Sequence, residues 1–169
     1  QRPRPDEGGI FKEAWLRARY GVIPVGADMC IHSWDTAQKP GELNDPSVLT
    51  VWRLGRGVSG YYLQDVWRRQ VDYPTLKRTV QAYAERDKPA AILIEDKSSG
   101  QSLIQDLRDS TSLPIIAIEP LGDKTFRANE VSAMVEAGLV HLPELAPWLV
   151  DYEGEFFGFP LSKIGRAHV

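Results

Sequence analysis

The chain has 169 residues, of which 43% are hydrophobic and 25% charged, and its formal net charge at pH 7 is −3. These values are typical of one soluble globular domain, and the acidic balance argues against a generally basic nucleic-acid binder. No apolar run approaches the roughly 20 residues that span a bilayer, so no membrane partner is expected. Cys30 is the single cysteine of the sequence, which excludes an internal disulfide framework and fits a reducing compartment. We expect it to be a small core residue on a strand.

The chain opens on nine polar residues rich in glycine and proline, QRPRPDEGG, which are typical of a linker. We therefore expect it to begin inside an interdomain connection, followed by a short helix or ordered arm over residues 10–21 that packs Phe11, Trp15 and Leu16. Three β-branched, apolar segments come next, and RGVSG at 56–60 between the last two has hairpin length. The predicted strands are Met29–Asp35, 47–55 and 60–68. They should form an antiparallel meander.

After the third strand, the apolar spacing changes to that of a helix. Leu76 and Val80 repeat on one face of a helix over 73–87, and Ser98 and Gln101 have capping-box spacing at the start of a second helix. The further predicted elements are strands at 90–96 and 113–120, helices at 98–110, 123–138 and 146–160, and a short extended piece at 139–143.

The resulting order β-β-β-α-β-α-β-α predicts an α/β protein in which helices flank a mixed central sheet, with three antiparallel strands followed by strand–helix units. The ribonuclease H-like fold has this order. In that fold the first strand is central and the fourth lies beside it, so residues at their ends face each other.

Acidic residues lie at those two strand ends. Asp35 belongs to the first strand, and Glu95 and Asp96 end the fourth. Converging carboxylates repel and raise each other's pKa unless a cation lies between them, and Mg²⁺ and Mn²⁺ prefer oxygen ligands. The alternatives are that Asp96 caps the following helix and that Lys97 pairs with Glu95. Spacing does not decide between these readings.

Six segments, in order, resemble the C-terminal nuclease domain of phage terminase large subunits, the DNA-packaging motors of tailed bacteriophages. They are SWDTAQK, DPSVLTVW, YYLQDVWR, IEDKSSGQSLIQDLR, PLGDKTFRA and VEAGLVHLPELAPWLVDYEGEFFGFP. The opening QRPRPDEGGIFKEAW is similar to that family's connection between its ATPase and nuclease domains. The resemblance implies a linker remnant at 1–9, a ribonuclease H-like nuclease domain at 10–160 and an atypical tail at 161–169, expected to be disordered.

The resemblance implies a metal-dependent endonuclease that cuts concatemeric double-stranded DNA with a metal-activated water and uses one or two Mg²⁺ or Mn²⁺ ions. Asp35 in SWDTA matches the family's first metal-binding aspartate, Glu95 in IEDKSSG matches its second acidic ligand, and Asp96 is a neighbouring metal ligand. The implied partners are double-stranded DNA, the upstream ATPase domain of the same polypeptide, and the portal and small terminase subunit. The implied location is the cytoplasm of a bacterial host.

The end of the sequence departs from the family pattern. In the family a further acidic cluster follows the FP motif, whereas FGFP is followed here by LSKIGRAHV, which contains no acid. Asp151 and Glu155 precede the motif on the last predicted helix, where one could point into the site or both could lie on a solvated face. The third acidic ligand is therefore not visible, which leaves the activity of this chain open.

Basic residues on the predicted hairpin form a candidate DNA contact, because a hairpin can lie along DNA and contact phosphates. The proposed DNA-binding residues are Arg53, Arg56, Arg68, Arg69 and, near the start of the third helix, Lys124. The alternative is that arginines on edge strands serve solubility. His32 and His141 are expected to have structural roles.

Two other functions stay open from the sequence. One is a non-catalytic or degenerate docking module of the packaging motor. The other is a different ribonuclease H-like nuclease, such as a junction resolvase or a cutter of RNA/DNA hybrids. The sequence contains no glycine-rich phosphate loop, so no ATP site is predicted in it.

Overall fold

The computed structural model describes residues 9–37 and 45–160. Its strands are β1 (Met29–Asp35), β2 (Ser47–Gly55), β3 (Val58–Arg69), β4 (Ala91–Glu95), β5 (Ile115–Ile118) and β6 (Val140–His141). Its helices are a 3₁₀ turn at Glu13–Leu16, α1 (Tyr73–Asp87), α2 (Ser99–Ser110), α3 (Lys124–Glu136) and α4 (Leu149–Gly158). The predicted order of elements is confirmed. The expected tail and all but Gly9 of the expected linker lie outside the described residues.

The strands form one six-stranded sheet in the order β5-β4-β1-β2-β3-β6. β4 runs parallel to both β1 and β5, and β6 runs parallel to β3. β2 and β3 are antiparallel, because only Arg56 and Gly57 connect them and a two-residue loop can join only antiparallel strands. The predicted mixed sheet is thus confirmed, with the first strand in its interior and the fourth beside it.

Several predicted boundaries differ from those of the structure, and two of the differences have a clear cause. The hairpin connection is shorter than the predicted 56–60, because Gly57 adopts a positive φ of 78° and completes a two-residue turn, so Val58 already belongs to β3. The last helix occupies Leu149–Gly158 instead of 146–160. It stops before Phe159 because Pro160 follows, and the residue before a proline disfavours the helical conformation.

The described residues divide into two compact units. The first unit contains the residues up to Asp28, Arg53–Asp65 and the residues from Leu121 onward, and the second unit contains Met29–Trp52 and Val66–Pro120. None of the described helices is long and apolar enough to cross a membrane.

The core of the second unit joins the sheet to α1 and α2. Trp34 on β1 is buried, and its ring lies edge-on to the rings of Trp67 and Tyr83, with centroids 5.6 and 6.5 Å away. The other buried members of this core include Cys30, Leu49, Val51, Leu76, Val80, Ala84, Ile92, Ile94, Leu103, Ile104 and Leu107. The burial of Leu76 and Val80 confirms the apolar face predicted for α1.

Helices α1 and α2 begin differently. Asp72 caps α1, because its side chain accepts a hydrogen bond of 2.9 Å from the backbone N–H of Thr75. The capping box predicted for α2 is wrong, since the Ser98 side chain makes no capping hydrogen bond. Ser98 has a positive φ of 51°, which does not favour that bond.

The first unit is held by aromatic stacking and one ion pair. Phe11 is fully buried and its ring stacks on that of Phe156 at 4.2 Å, which confirms that the segment after the linker packs as an ordered arm. Arg19 donates to Glu153 of α4 over 2.5 Å. His141 stacks on Tyr62 with ring centroids 4.5 Å apart, in line with its expected structural role.

A hydrogen bond between His32 and Asp87 ties β1 to the end of α1. His32 is fully buried, and its Nε2 lies 2.7 Å from Oδ2 of Asp87, the last residue of α1. Arg86 also donates to both oxygens of Asp87. Burial works against the charged carboxylate, but the hydrogen bonds from Arg86 and His32 outweigh it and lower the pKa of Asp87. The expected structural role of His32 agrees with this geometry.

We expect Asp87→Asn to lower the free energy of unfolding by about 1.5–3 kcal/mol at pH 7, the range for hydrogen bonds to charged groups. Because the pKa of Asp87 is lower in the folded chain, its stabilisation is present above the unfolded value of about 4 and disappears as the pH falls through the folded value. Urea unfolding at pH 7 and pH 3 should show a difference between wild type and variant that shrinks in acid. Asp109→Asn, at an exposed acid of α2, is the control. An equal loss at both pH values would contradict this account.

Candidate metal centre

Asp35 and Glu95 are the last residues of two parallel neighbours, β1 and β4. The register pairs Ser33 with Leu93 and Trp34 with Ile94, so the two acids occupy the next position along both strands. Residues in register on parallel strands point to the same face of the sheet. Trp34 and Ile94 belong to the core formed with the helices. Because successive side chains of a strand alternate between the two faces of a sheet, Asp35 and Glu95 belong to the opposite face. The structure therefore brings these two acids together at one strand end, as the sequence predicted.

Asp35 and Glu95 differ in exposure. The exposed fraction of Asp35 is 4%, whereas Glu95 is half-buried. Carboxylates at adjacent positions on neighbouring strands can serve as ligands of one divalent cation. The donor set, two carboxylates, consists of hard oxygen ligands and fits Mg²⁺ or Mn²⁺ better than a thiophilic metal.

Asp96 lies one residue beyond this pair and is half-buried. Its backbone N–H donates to the carbonyl of Ile118 over 2.8 Å, so the chain is paired with β5 at this point. The structure places Asp96 beside Glu95 in the chain. Its role as a metal ligand stays a prediction, as do those of Asp35 and Glu95.

The loop after β4 is compact. The Lys97 N–H donates to the carbonyl of Glu95, and the Gly100 N–H donates to that of Lys97, both over 2.9 Å. A Cβ atom on Gly100 would lie 2.0 Å from the Glu95 carbonyl oxygen, so only glycine allows the first turn of α2 to approach β4 this closely. No pattern in the sequence pointed to this contact or to the glycine that it requires.

Hydroxyl groups join this loop to the end of β1. The Ser99 hydroxyl lies 2.8 Å from Oγ1 of Thr36 and donates to the carbonyl of Ala37. Sequence reasoning did not single out Thr36 or Ser99. A serine after the acidic strand end was the only available signal.

Among the described residues, one group of three potential ligands has its atoms within 4.8 Å of one another, and it comprises Cys30, His32 and Asp87. The sequence analysis did not select Asp87, because nothing in ERDKP marks it. Both carboxylate oxygens of Asp87 already accept hydrogen bonds from Arg86, and one also faces His32. We therefore assign these residues to the structural contact between His32 and Asp87, not to the candidate metal centre at Asp35 and Glu95.

The predicted DNA-binding residues do not fall in one unit. Arg53, Arg56 and Lys124 belong to the first unit, and Arg68 and Arg69 to the second. Arg53 donates to the carbonyl of Ala27 over 3.1 Å, while Arg56 in the hairpin turn and Arg69 at the end of β3 are exposed. β2 is an interior strand, whereas the two residues of β6 pair only with Tyr61 and Tyr62 of β3, so the alternative that arginines on an edge serve solubility stays open for Arg68 and Arg69. DNA contact stays a prediction.

The two acids of α4 differ in exposure. Asp151 is exposed, whereas Glu155 is 9% exposed, so the alternative of a solvated face is wrong for Glu155. Burial, followed by the charge of Glu155, raises the pKa of Tyr152. Glu155 thus belongs to the interior of the first unit, next to that tyrosine.

Comparison with known proteins gives one family and a set of related structures. A family model described as the terminase RNaseH-like domain matches residues 32–160. No curated protein matches the chain. The large terminase of the thermophilic bacteriophage D6E is similar with a TM-score of 0.63 and 13% identity, over 86% of this chain. The chain spans 35% of that protein.

Two further solved structures are similar at the level of the fold. The nuclease domain of the P22 large terminase has a TM-score of 0.59 and 14% identity, covering 88% of this chain and 79% of that one. The large terminase nuclease of the thermophilic phage G20c has a TM-score of 0.51 and 14% identity, covering 75% of this chain and 63% of that one. The mixed sheet flanked by helices is therefore a ribonuclease H-like fold of the kind found in these terminase nucleases.

We expect Gly100→Ala to lower the free energy of unfolding by about 1–3 kcal/mol, because the added methyl group must displace the Glu95 carbonyl or the start of α2. Gly154→Ala is the matched control, since a Cβ there meets nothing within 4 Å inside a helix. That control should be neutral or stabilising by up to about 1 kcal/mol. Urea unfolding of the three proteins measures both effects, and equal stability of the two variants would show that the contact at Gly100 is not restrictive.

Proposed function

The chain belongs to the family of terminase RNaseH-like domains, and from that premise we propose that it is a metal-dependent endonuclease domain of a viral packaging motor, cutting double-stranded DNA. The observation that carries the proposal is the placement of Asp35 and Glu95 in neighbouring positions at the ends of β1 and β4, on one face of the sheet. A site for hydrolysing a phosphodiester needs oxygen ligands that converge in this way.

The residues that would hold the cation are Asp35 and Glu95, with Asp96 as a further ligand. When bound, one or two Mg²⁺ or Mn²⁺ ions would make a coordinated water acidic and stabilise negative charge on the phosphate. Asp35, buried at the end of β1, supplies a fixed donor whose orientation the strand sets. Glu95, half-buried, supplies a donor that remains reachable from solvent, as a site open to a phosphodiester requires.

Water is the nucleophile in this proposal. The only cysteine, Cys30, is 3% exposed in the core of the second unit, so its thiol is not accessible to a DNA backbone. Two carboxylates at one point would repel a phosphate in the absence of a cation, so binding of the cation also makes the site compatible with a polyanionic substrate.

Contact with DNA is proposed to be largely independent of sequence. Arg56 and Arg69 are exposed and can meet phosphates, and Arg53, Arg68 and Lys124 complete the proposed set. Phosphate contacts position a protein on the duplex without reading bases. From the same premise we assign concatemeric DNA as the substrate, and the ATPase domain, the portal and the small terminase subunit as partners in the host cytoplasm.

We expect Asp35→Ala to reduce Mn²⁺-dependent plasmid cleavage by about 100-fold or more, the scale on which removal of one transition-state-stabilising group acts. Glu95→Gln, which keeps the shape and removes the charge, should act in the same direction. Asp109→Ala, at an exposed acid of α2, should cleave like the wild type. Gel quantification of nicked and linear plasmid provides the rate, and calorimetry with Mn²⁺ provides the affinity.

The same assay separates the competing functions. Preference for four-way junctions or RNA/DNA hybrids over plain duplex would indicate a different ribonuclease H-like nuclease. Absence of both cleavage and Mn²⁺ binding in the wild type would favour a docking module. Equal cleavage by wild type and Asp35→Ala would remove Asp35 from the site.

A further inference from the structure

Two hydroxyl side chains bridge the segments that carry the proposed metal ligands. Thr36 directly follows Asp35 and is 7% exposed. The Ser99 oxygen lies 2.8 Å from Thr36 Oγ1 and also contacts the carbonyl of Ala37. Ser99 carries one hydroxyl proton and so can donate only once. Its hydroxyl is placed to donate either to Thr36 Oγ1 or to the Ala37 carbonyl, so Ser99 contacts both residues that follow Asp35, and these contacts form a bridge.

The bridge is rigidly attached to Glu95. Three residues separate Glu95 from Ser99, and backbone hydrogen bonds from Lys97 to Glu95 and from Gly100 to Lys97 close this loop. Gly100 lies so close to the Glu95 carbonyl that a Cβ atom on it would be 2.0 Å from the oxygen, so the loop packs tightly against the end of β4. Movement of Ser99 is therefore transmitted to Glu95.

The two acids are consequently braced from both sides. The last ladder pair, Trp34 with Ile94, fixes the strands immediately before the acids. The bridge fixes the chain immediately after Asp35 and holds the start of α2 against it. Loss of the bridge would remove the contact that joins the segment after Asp35 to the start of α2.

We propose that Thr36 and Ser99 are positioning residues that hold Asp35 and Glu95 at the separation needed to bind one divalent cation. This inference rests on the proposed function, because it assigns a role toward that same metal site. Neither hydroxyl contacts the cation in this proposal. Their contribution is preorganisation, which increases affinity by reducing the rearrangement that binding requires.

The test compares variants that remove or keep one hydroxyl. Thr36→Val replaces the hydroxyl by a methyl group of similar size, Thr36→Ser keeps the hydroxyl, and Ser99→Ala removes its partner. Calorimetric titration with Mn²⁺ should show about tenfold weaker binding for Thr36→Val and for Ser99→Ala, the lower end of the range for groups that orient metal ligands. Thr36→Ser should bind like the wild type, and the double variant Thr36→Val/Ser99→Ala should be no weaker than either single variant.

Three outcomes would overturn the proposal. They are unchanged Mn²⁺ affinity in Thr36→Val, equal weakening by Thr36→Val and Thr36→Ser, and additive effects in the double variant, which would mean that the hydroxyls act separately. Additive losses of affinity would indicate general destabilisation, whereas non-additive losses would indicate that both hydroxyls belong to one bridge.

A second measurement separates failure of this proposal from failure of the proposed function. If Asp35→Ala binds Mn²⁺ as tightly as the wild type, the metal site itself is elsewhere and a role of the bridge toward the metal is overturned with it. Amide hydrogen exchange of Lys97 and Gly100 in the metal-free protein then tests the bridge alone. Faster exchange in Thr36→Val but not in Thr36→Ser supports the brace, and unchanged exchange in both rejects it.

Discussion

The parallel pairing of β1 with β4 is the interaction on which the rest of the structure depends. Its register places His32 and Trp34 on the face that packs against the helices, beside Ile92 and Ile94. The same register sends the next residues to the other face, where the strands end. One ladder of backbone hydrogen bonds therefore fixes both the apolar core of the second unit and the position of the acidic pair. A slip by one residue would exchange these faces and bury charge in the core.

Polar anchors secure β1 at its middle and just beyond its last residue. His32, the central residue of the strand, faces Asp87, so the last turn of α1 is tied to the strand within the core. Thr36, which follows the strand, meets Ser99 at the first turn of α2. The apolar contacts between these anchors are individually non-directional, whereas hydrogen bonds define distances and angles. This division explains how a strand embedded in aliphatic and aromatic side chains can still hold a terminal carboxylate in a defined position.

The sequence predicted the elements, their order and the two acids that the sheet brings together, because strand and helix periods and family motifs are local signals. It did not predict Asp87 as the partner of His32, since a pairing across 55 residues leaves no pattern in either segment. The Thr36–Ser99 contact, across 63 residues, was missed for the same reason. The capping box failed because tertiary contact overrides local preference. Ser99 forms hydrogen bonds toward β1, and Gly100 packs against Glu95, so the loop adopts a conformation that the spacing of Ser98 and Gln101 does not encode.

In the proposed site, cation binding and the stability of the domain are linked. A cation that binds only the folded state stabilises the fold in proportion to the logarithm of its concentration over its Kd. The affinity depends on how little the proposed ligands move when the cation arrives. Asp35 and Glu95 stand at the ends of two strands held in register, and Gly100 packs against the Glu95 carbonyl in the loop that follows. Rigidity at these strand ends would therefore favour cation binding, because the fold would not have to rearrange.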